Sequence, residues 1–354
     1  MKLVKIKDLT CGMILVRSIF NADGQDILSA GSELNKLRIE RLVSLGIDEV
    51  YIKDDVLTED ILDEAIRKKT VSIVKKTFES TSELLSDEYA TKITEIVDEI
   101  LNELLENPHL MMNLKDVKMF DEYTYFHSVN VMIVSLICGI GLNLEKDELL
   151  ELGISALLHD IGKTLVPTEI LNNPTQLSEE EFNVMKKHSQ TGFDMLKPST
   201  ILSEKTKLGI LDHHEKYDGS GYPNGKKGTE ISLFGRIISA ADVYDALTSK
   251  RVYKKAILTS EAIEYIYSCA GTVFDPEVVK VFITYIMPFP IGTFVKLSDS
   301  TLGQVVENHK ELPYRPKVKV VFKGNKPVSP YYVDLLKDHN FLNVTITEVV
   351  ETIS

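Results

Sequence analysis

The sequence predicts a mainly α-helical protein whose helical domain is flanked by small β-rich modules at both ends. Three observations carry that reading. From about residue 107 to 287 the pattern is helical almost throughout, broken by a few loops. Residues 1–55 and 288–354 instead hold short, β-branched, alternating stretches broken by Gly, Asn, Asp and Pro. Residues 56–106 contain no proline, many charges and apolar residues at three- and four-residue spacing, which predicts a helical connector.

In the first module "KLVKIKDL" and "GMILVRSIF" alternate, "NADGQ" is a turn and "DEVYIK" closes as a strand. Between them "ELNKLRIERLVSLG" places leucines at helical spacing with Gly46 as its stop. Pro108 marks the boundary to the helical domain. There "LSEEEFNVMKKHSQTGFDML" opens on a capping box, Ser178 with Glu181, and continues as one amphipathic run. After "MPFPIG" the segments "TFVKLSD", "GQVVENH", "PKVKVVFKG" and "NVTITEVV" form the C-terminal β-rich module.

Composition sets limits on function. The chain has 354 residues, 44% hydrophobic and 26% charged, which is globular rather than disordered. A net charge of −13 argues against non-specific DNA or RNA binding, so an anionic substrate needs local cations. Cys11, Cys138 and Cys269 are scattered, which predicts a reducing compartment and no thiolate metal site. "MKLVKIKDLT" has no apolar core of a signal peptide. The longest apolar stretch, Val129 to Leu144, is interrupted by Asn130, Ser135 and Asn143 and falls short of the roughly 20 residues that span a bilayer. A cytoplasmic protein without a membrane segment is expected.

Eight histidines are present. His109, His309 and His339 lie in loop-like or solvent-facing contexts and receive no role. The other five fall in the helical region. His127 lies on a helix that is apolar nearly all round, where a lone histidine is usually a satisfied core residue. His159 and Asp160 close a buried helix that Gly162 is placed to stop. Burying that pair is costly unless an ion pair or a metal compensates it. His188 ends an amphipathic run, where an exposed helix-end histidine is the default. His213 and His214 are consecutive and can both reach a cleft at a helix end. Asp242 and Asp245 share one helix face.

Taken together, five imidazoles and at least two carboxylates on mostly apolar helices need a common partner, and a metal centre supplies one. Nitrogen and oxygen ligands without thiolate point to iron or manganese. Seven ligands exceed what one ion with an open position uses, so two ions are the natural count.

These motifs resemble a known family. His127, "HDIGK" at 159–163, "HHE" at 213–215, "DGSGYP" at 218–223, "DVYDALTSKRVYK" from Asp242 and "GTVFDP" from Gly271 are similar to the HD-GYP domain, a branch of the HD phosphohydrolase superfamily. The likeness covers residues 107–287; "CGMIL" and "FPIGTFVKL" resemble modules that accompany it. The resemblance implies a helical HD-superfamily domain that hydrolyses cyclic di-GMP, a bacterial second messenger, to linear pGpG, GMP or both. It implies that His127, His159 and Asp242 hold one divalent metal and that His188, His213 and His214 hold a second, with Asp160 bridging. Three-metal members carry a glutamate where Tyr123 stands, which favours two. Lys163, Arg251 and Lys254 match residues that contact substrate phosphate, although Val252 replaces the usual proline. Two ions can acidify a bridging water for attack on a phosphodiester, with Asp160 and Lys163 as the catalytic residues.

"HHEKYDGSGYP" then reads as two ligands followed by a glycine-rich loop, with Tyr222 shaping the rim of the substrate site. Glu215, Asp218, Arg236 and Asp245 are expected as acceptors or supports behind the ligating imidazoles. Alternatives are another nucleotide substrate, such as cyclic GMP–AMP, or a catalytically silent dinucleotide sensor. The flanking modules leave room for a homodimer or a signalling-protein partner.

Overall fold

A computed structural model describes residues 2–20, 26–47, 49–53, 69–70, 72–76, 87–106, 123–171, 173, 175–249, 256–324 and 326–350. The chain divides into two compact units: Lys69–Met119 with Tyr123–Pro288, and Met1–Lys68 with Phe120–Glu122 and Phe289–Ser354. The architecture is mainly helical with β-rich ends, as the sequence predicts.

At the N-terminal end β1 (Lys2–Lys5) pairs antiparallel with β4 (Glu49–Ile52), and β2 (Ile19–Phe20) with β3 (Asp26–Leu28). Helix α1 (Lys36–Ser44) starts where the Asn35 side chain accepts from Arg38 N–H at 2.9 Å, an N-cap, and ends just ahead of Gly46. Val4, Leu15, Leu28, Leu34, Leu42, Val50 and Ile52 form its core.

In the helical unit, after helical residues at 69–70 and 72–76, α2 (Asp87–Glu106) buries Ile93, Ile96, Val97, Ile100, Leu101 and Leu104 along one stripe. Helices α3 (Tyr123–Gly141) and α4 (Lys146–Leu158) follow, joined by a turn in which Asn143 has φ 58°. Their apolar side chains are buried on nearly every face, each worth about 1.5–3 kcal/mol. Among the described residues no helix is long and apolar enough to cross a membrane. A short helix α5 (Thr168–Leu171) follows Pro167.

Helix α6 (Glu179–Lys186) has the capping box, with Glu181 N–H on Ser178 Oγ and Ser178 N–H on Glu181 Oε2 at 2.7 Å. The run does not continue as one helix. It breaks at Lys187, and α7 (His188–Leu196) starts with its first residue buried. Helices α8 (Glu204–Asp212), α9 (Leu233–Thr248), α10 (Thr259–Ser268) and α11 (Pro276–Tyr285) complete the unit; the side chains of Ser203, Ser232 and Asp275 cap α8, α9 and α11.

The C-terminal segment is a five-stranded antiparallel sheet in the order β8-β7-β6-β5-β9. Its strands are β5 (Phe294–Leu297), β6 (Thr301–Glu307), β7 (Lys317–Lys323), β8 (Lys326–Asp334) and β9 (Ile346–Val350). Alternation buries Val295, Leu297, Val318, Val320 and Val333 on one face.

Candidate metal centre

Five helix ends and faces deliver the polar groups. His127 projects from α3, His159 caps α4, and Asp160 precedes the 3-10 turn Ile161–Leu165. His188 opens α7, His213 and His214 follow α8, and Asp242 with Asp245 lie one turn apart on α9. Gly162, expected to stop a helix, has another task. A Cβ there would lie 2.0 Å from the His188 carbonyl oxygen and 2.6 Å from Gly192 N, so only glycine lets the turn after Asp160 press against α7. That approach carries Asp160 to His188. His188, by default an exposed helix end, is buried.

Seven side chains converge as two sets of closely spaced ligand atoms: His127, His159 and Asp242; and Asp160, His188, His213 and His214. Asp160 faces both. Its Oδ2 lies 3.7 Å from His127 Nε2 and 3.5 Å from His159 Nε2, and its Oδ1 lies 3.4 Å from His188 Nε2 and 4.0 Å from His213 Nε2. His214 packs on the rings of His188 and His213, with centroids at 4.9 and 4.0 Å.

The outer nitrogens decide the chemistry. Nδ1 of His159, His188 and His213 lies 2.8, 2.7 and 2.7 Å from the carbonyl oxygens of Ala156, Met185 and Ile210. A carbonyl only accepts, so each Nδ1 carries the proton and each Nε2 is left as a lone pair. The Nε2 atoms of His188 and His213 stand 3.2 Å apart, acceptor against acceptor. His159 Nε2 and Asp160 Oδ1 are buried with no hydrogen-bond partner. Such an arrangement is costly alone and favourable around a cation. The donor set therefore fits a divalent metal, held by neutral imidazoles and carboxylates.

Electrostatics agree. Burial holds the imidazoles of His159, His188 and His213 below their ordinary range and pushes His214 down to about 3. His127 goes the other way. Burial opposes its charge, but hydrogen bonds and charges from Asp242 and Asp245 outweigh that and raise it to about 10. A proton on Nε2, 3.2 Å from Asp242 Oδ1, occupies the place a metal would take. Burial opposes ionisation of Asp160, yet Lys163 and the imidazoles hold its carboxyl well below the carboxylate range.

Around the centre, Asp245 Oδ2 accepts from His127 Nδ1 at 2.8 Å, while its Oδ1 accepts from Asn130 Nδ2 at 2.8 Å. Lys163 Nζ lies 2.5 Å from Asp160 Oδ2, with its side chain 28% exposed. Tyr222 lays its ring on His214, centroids 4.8 Å apart. Three supports are placed differently from expectation. Glu215 takes no imidazole; its oxygens accept the N–H groups of Asn224 and Lys226. Asp218 is exposed and accepts from Ser220 N–H within its own turn. Arg236 pairs with Asp275 and donates to the Ile231 carbonyl. Backbone carbonyls supply what Glu215, Asp218 and Arg236 were expected to supply, a substitution that spacing cannot reveal. Arg251 and Lys254, with Val252, lie outside the described residues, as do His109 and Pro108.

Asn130, Asp212 and Lys226 were missed. The signal for Asn130 was its place three residues after His127 in an apolar run; for Asp212 it was adjacency to the histidine pair.

Two family models match this sequence: the HD domain over residues 81–278, more than half of the chain, and a KOW domain associated with HD domain over residues 294–352. The chain belongs to the HD domain family. The chain is similar to a cyclic di-GMP phosphodiesterase of Pseudomonas aeruginosa, 39% identical over 244 residues, 68% of this chain and 59% of the relative. The cyclic di-GMP phosphodiesterase response regulator RpfG of Xanthomonas campestris is 43% identical over 139 residues, 39% of this chain and 37% of the relative. The chain thus spans less than two thirds of the length of either. The solved structure of a HDG"Y"P protein from Bdellovibrio bacteriovorus aligns with a TM-score of 0.53 over 79% of this chain and 97% of that one; at 17% identity the likeness speaks for the fold alone.

Proposed function

We propose that this HD-domain chain hydrolyses a phosphodiester bond of cyclic di-GMP, using two divalent ions, iron or manganese. The observation that carries the reading is Asp160, whose two oxygens face two separate groups of imidazole lone pairs. In this reading His127, His159 and Asp242 hold one ion and His188, His213 and His214 the other. When bound, such a pair supplies positive charge for the phosphoryl oxygens and acidifies water.

The remaining work falls to the chain itself. Asp245 keeps the His127 proton on Nδ1, so that Nε2 points inward. The Ala156, Met185 and Ile210 carbonyls do the same for three other imidazoles. Lys163, partly open to solvent, offers an ammonium at the edge of Asp160 for a substrate phosphate. Tyr222 gives a flat apolar rim beside His214 on which a base or ribose can rest. Arg251 and Lys254 match phosphate-contacting positions of the HD-GYP pattern and join Lys163 in this reading by that resemblance alone. The relatives of Pseudomonas aeruginosa and Xanthomonas campestris are named for the same substrate, and two of Vibrio cholerae for 3'3'-cGAMP. The three cysteines are free thiols, which suits a cytoplasmic setting.

The test is turnover by protein purified without oxygen and loaded with Fe2+ or Mn2+, with His159→Ala alongside. Cyclic di-GMP and 3'3'-cyclic GMP–AMP are followed by chromatography. Metal-dependent cleavage of cyclic di-GMP, lost in the variant, is the expected result. Faster cleavage of the mixed dinucleotide reassigns the substrate, and binding without cleavage makes the site a sensor.

A further inference from the structure

Asp212 is fully buried, immediately ahead of the histidine pair, and stands outside both ligand sets. A buried carboxylate needs partners, and this one has two. Lys226 Nζ, from the loop 14 residues on, contacts its two oxygens at 2.7 and 2.9 Å, and Ser232 N–H donates to Oδ2 at 2.9 Å. Ser232 caps α9, the helix that carries Asp242. Lys226 is held a second time, by its own backbone N–H on Glu215 Oε2 at 3.1 Å. Asp212 and Glu215 therefore bracket His213 and His214, and both grip the same stretch of loop.

The gripped loop returns to the centre. Asn224 N–H donates to Glu215 Oε1 at 2.7 Å, and Tyr222 N–H to the His214 carbonyl at 3.2 Å. The Tyr222 ring then lies on His214, tilted by 31°. Gly221 makes this return feasible, because a Cβ there would come within 2.3 Å of Lys216 N. The described contacts show no backbone carbonyl or carboxylate behind His214 like those behind His159, His188, His213 and His127. Its ring is located by neighbouring rings, Tyr222 among them.

We propose that the buried Asp212–Lys226 pair is a positioning element that sets the Tyr222 loop and, through it, the His214 ring. It acts on the ion set of His188, His213 and His214 and leaves the set of His127, His159 and Asp242 alone. This inference rests on the two-metal reading above, but its test does not depend on turnover.

The experiment titrates metal-free full-length protein with Co2+, whose visible absorption reports each filled site. Wild type, Lys226→Met, Lys226→Arg and the double variant Asp212→Asn/Lys226→Met, whose amide oxygen still accepts the Ser232 N–H, are compared. Lys226→Met is expected to weaken one of the two ions by about tenfold or more, the range for supports of metal ligands, while the other stays within about twofold. Lys226→Arg, which keeps the pair, is expected to restore the wild-type curve. The double variant removes both charges together, so no buried carboxylate is left unpaired and folding is preserved. It is expected to keep the wild-type melting temperature and still show the selective loss.

Equal weakening of both ions, unchanged affinities in Lys226→Met, or wild-type binding by the double variant would each overturn the proposal. A wild type that binds one Co2+ refutes the two-metal reading instead. The pair is then judged on that single ion, which the double variant must weaken about tenfold without a fall in melting temperature.

Discussion

His309 in the C-terminal sheet and His213 in the helical unit are both buried, yet their Nε2 atoms meet opposite surroundings. His309 Nε2 lies 3.1 Å from Asp334 Oδ1, an acceptor that also takes the N–H groups of Leu336 and Lys337. The contact joins groups of complementary kind, a ring nitrogen and a carboxylate oxygen. His213 Nε2 faces the Nε2 of His188, and the nearby Asp160 Oδ1 has no hydrogen-bond partner. Burial of a histidine is thus no mark of a metal site. Convergence of acceptors with their protons pinned to the outside is, because only a cation satisfies it.

The comparison breaks most visibly at Asp160. Asp160→Ala removes the carboxylate whose two oxygens face the two imidazole sets, so turnover is expected to fall to background and bound metal to drop below two ions per chain. Metal analysis beside the turnover assay checks this, and full activity with full metal content would sink the two-metal assignment.

Paired substitutions separate the two histidines. His213→Ala is expected to lose its ion. His309→Ala should retain all metal and lose only stability, about 0.5–1.5 kcal/mol for one hydrogen bond, with Asp334 still held by the Leu336 and Lys337 N–H groups, read as a lower melting temperature. Metal loss in His309→Ala would erase the distinction between the regions.

Lys163→Ala probes the mouth of the centre. A charge-assisted contact worth about 1.5–3 kcal/mol predicts a rise in KM of at least about tenfold with metal content unchanged. Metal loss in this variant would assign Lys163 to holding Asp160 rather than phosphate.

The smallest effect is on acid stability. Burial opposes ionisation of Asp334, but the N–H groups of Lys337 and Leu336 and the contact with His309 hold its carboxyl below the ordinary 3.8. Its stabilisation is complete above that value and fades as pH falls through the lower folded value. Acid unfolding of the sheet, followed by hydrogen exchange, is therefore expected to set in only below about pH 4. Asp334→Asn should flatten that acid dependence, and an unaltered acid profile would remove the Asp334 contacts from the account.

Much of this was legible in the sequence, and the failures have physical causes. The capping box at Ser178, the strands of the C-terminal module and the seven convergent side chains all follow from local pattern or motif order. His188 was harder, because the helix breaks at Lys187 and no residue there announces it. Gly162 looked like a helix stop because sequence shows the position of a glycine and not the neighbouring helix it admits. Glu215, Asp218 and Arg236 were expected behind the imidazoles, where backbone carbonyls stand; any residue can supply a carbonyl, so its use leaves no trace in residue types. His309 seemed a loop residue because its partner, Asp334, comes from the end of another strand. Asp212 and Lys226 meet across a loop, a pairing that only the fold discloses.

The most direct test of the central claim is electron paramagnetic resonance of the Mn2+-loaded chain. If Asp160 joins two ions, wild type gives the broadened signal of a spin-coupled manganese pair, and Asp160→Ala gives only isolated-ion lines or none. An isolated-ion spectrum from fully loaded wild type, unchanged in Asp160→Ala, would contradict the account.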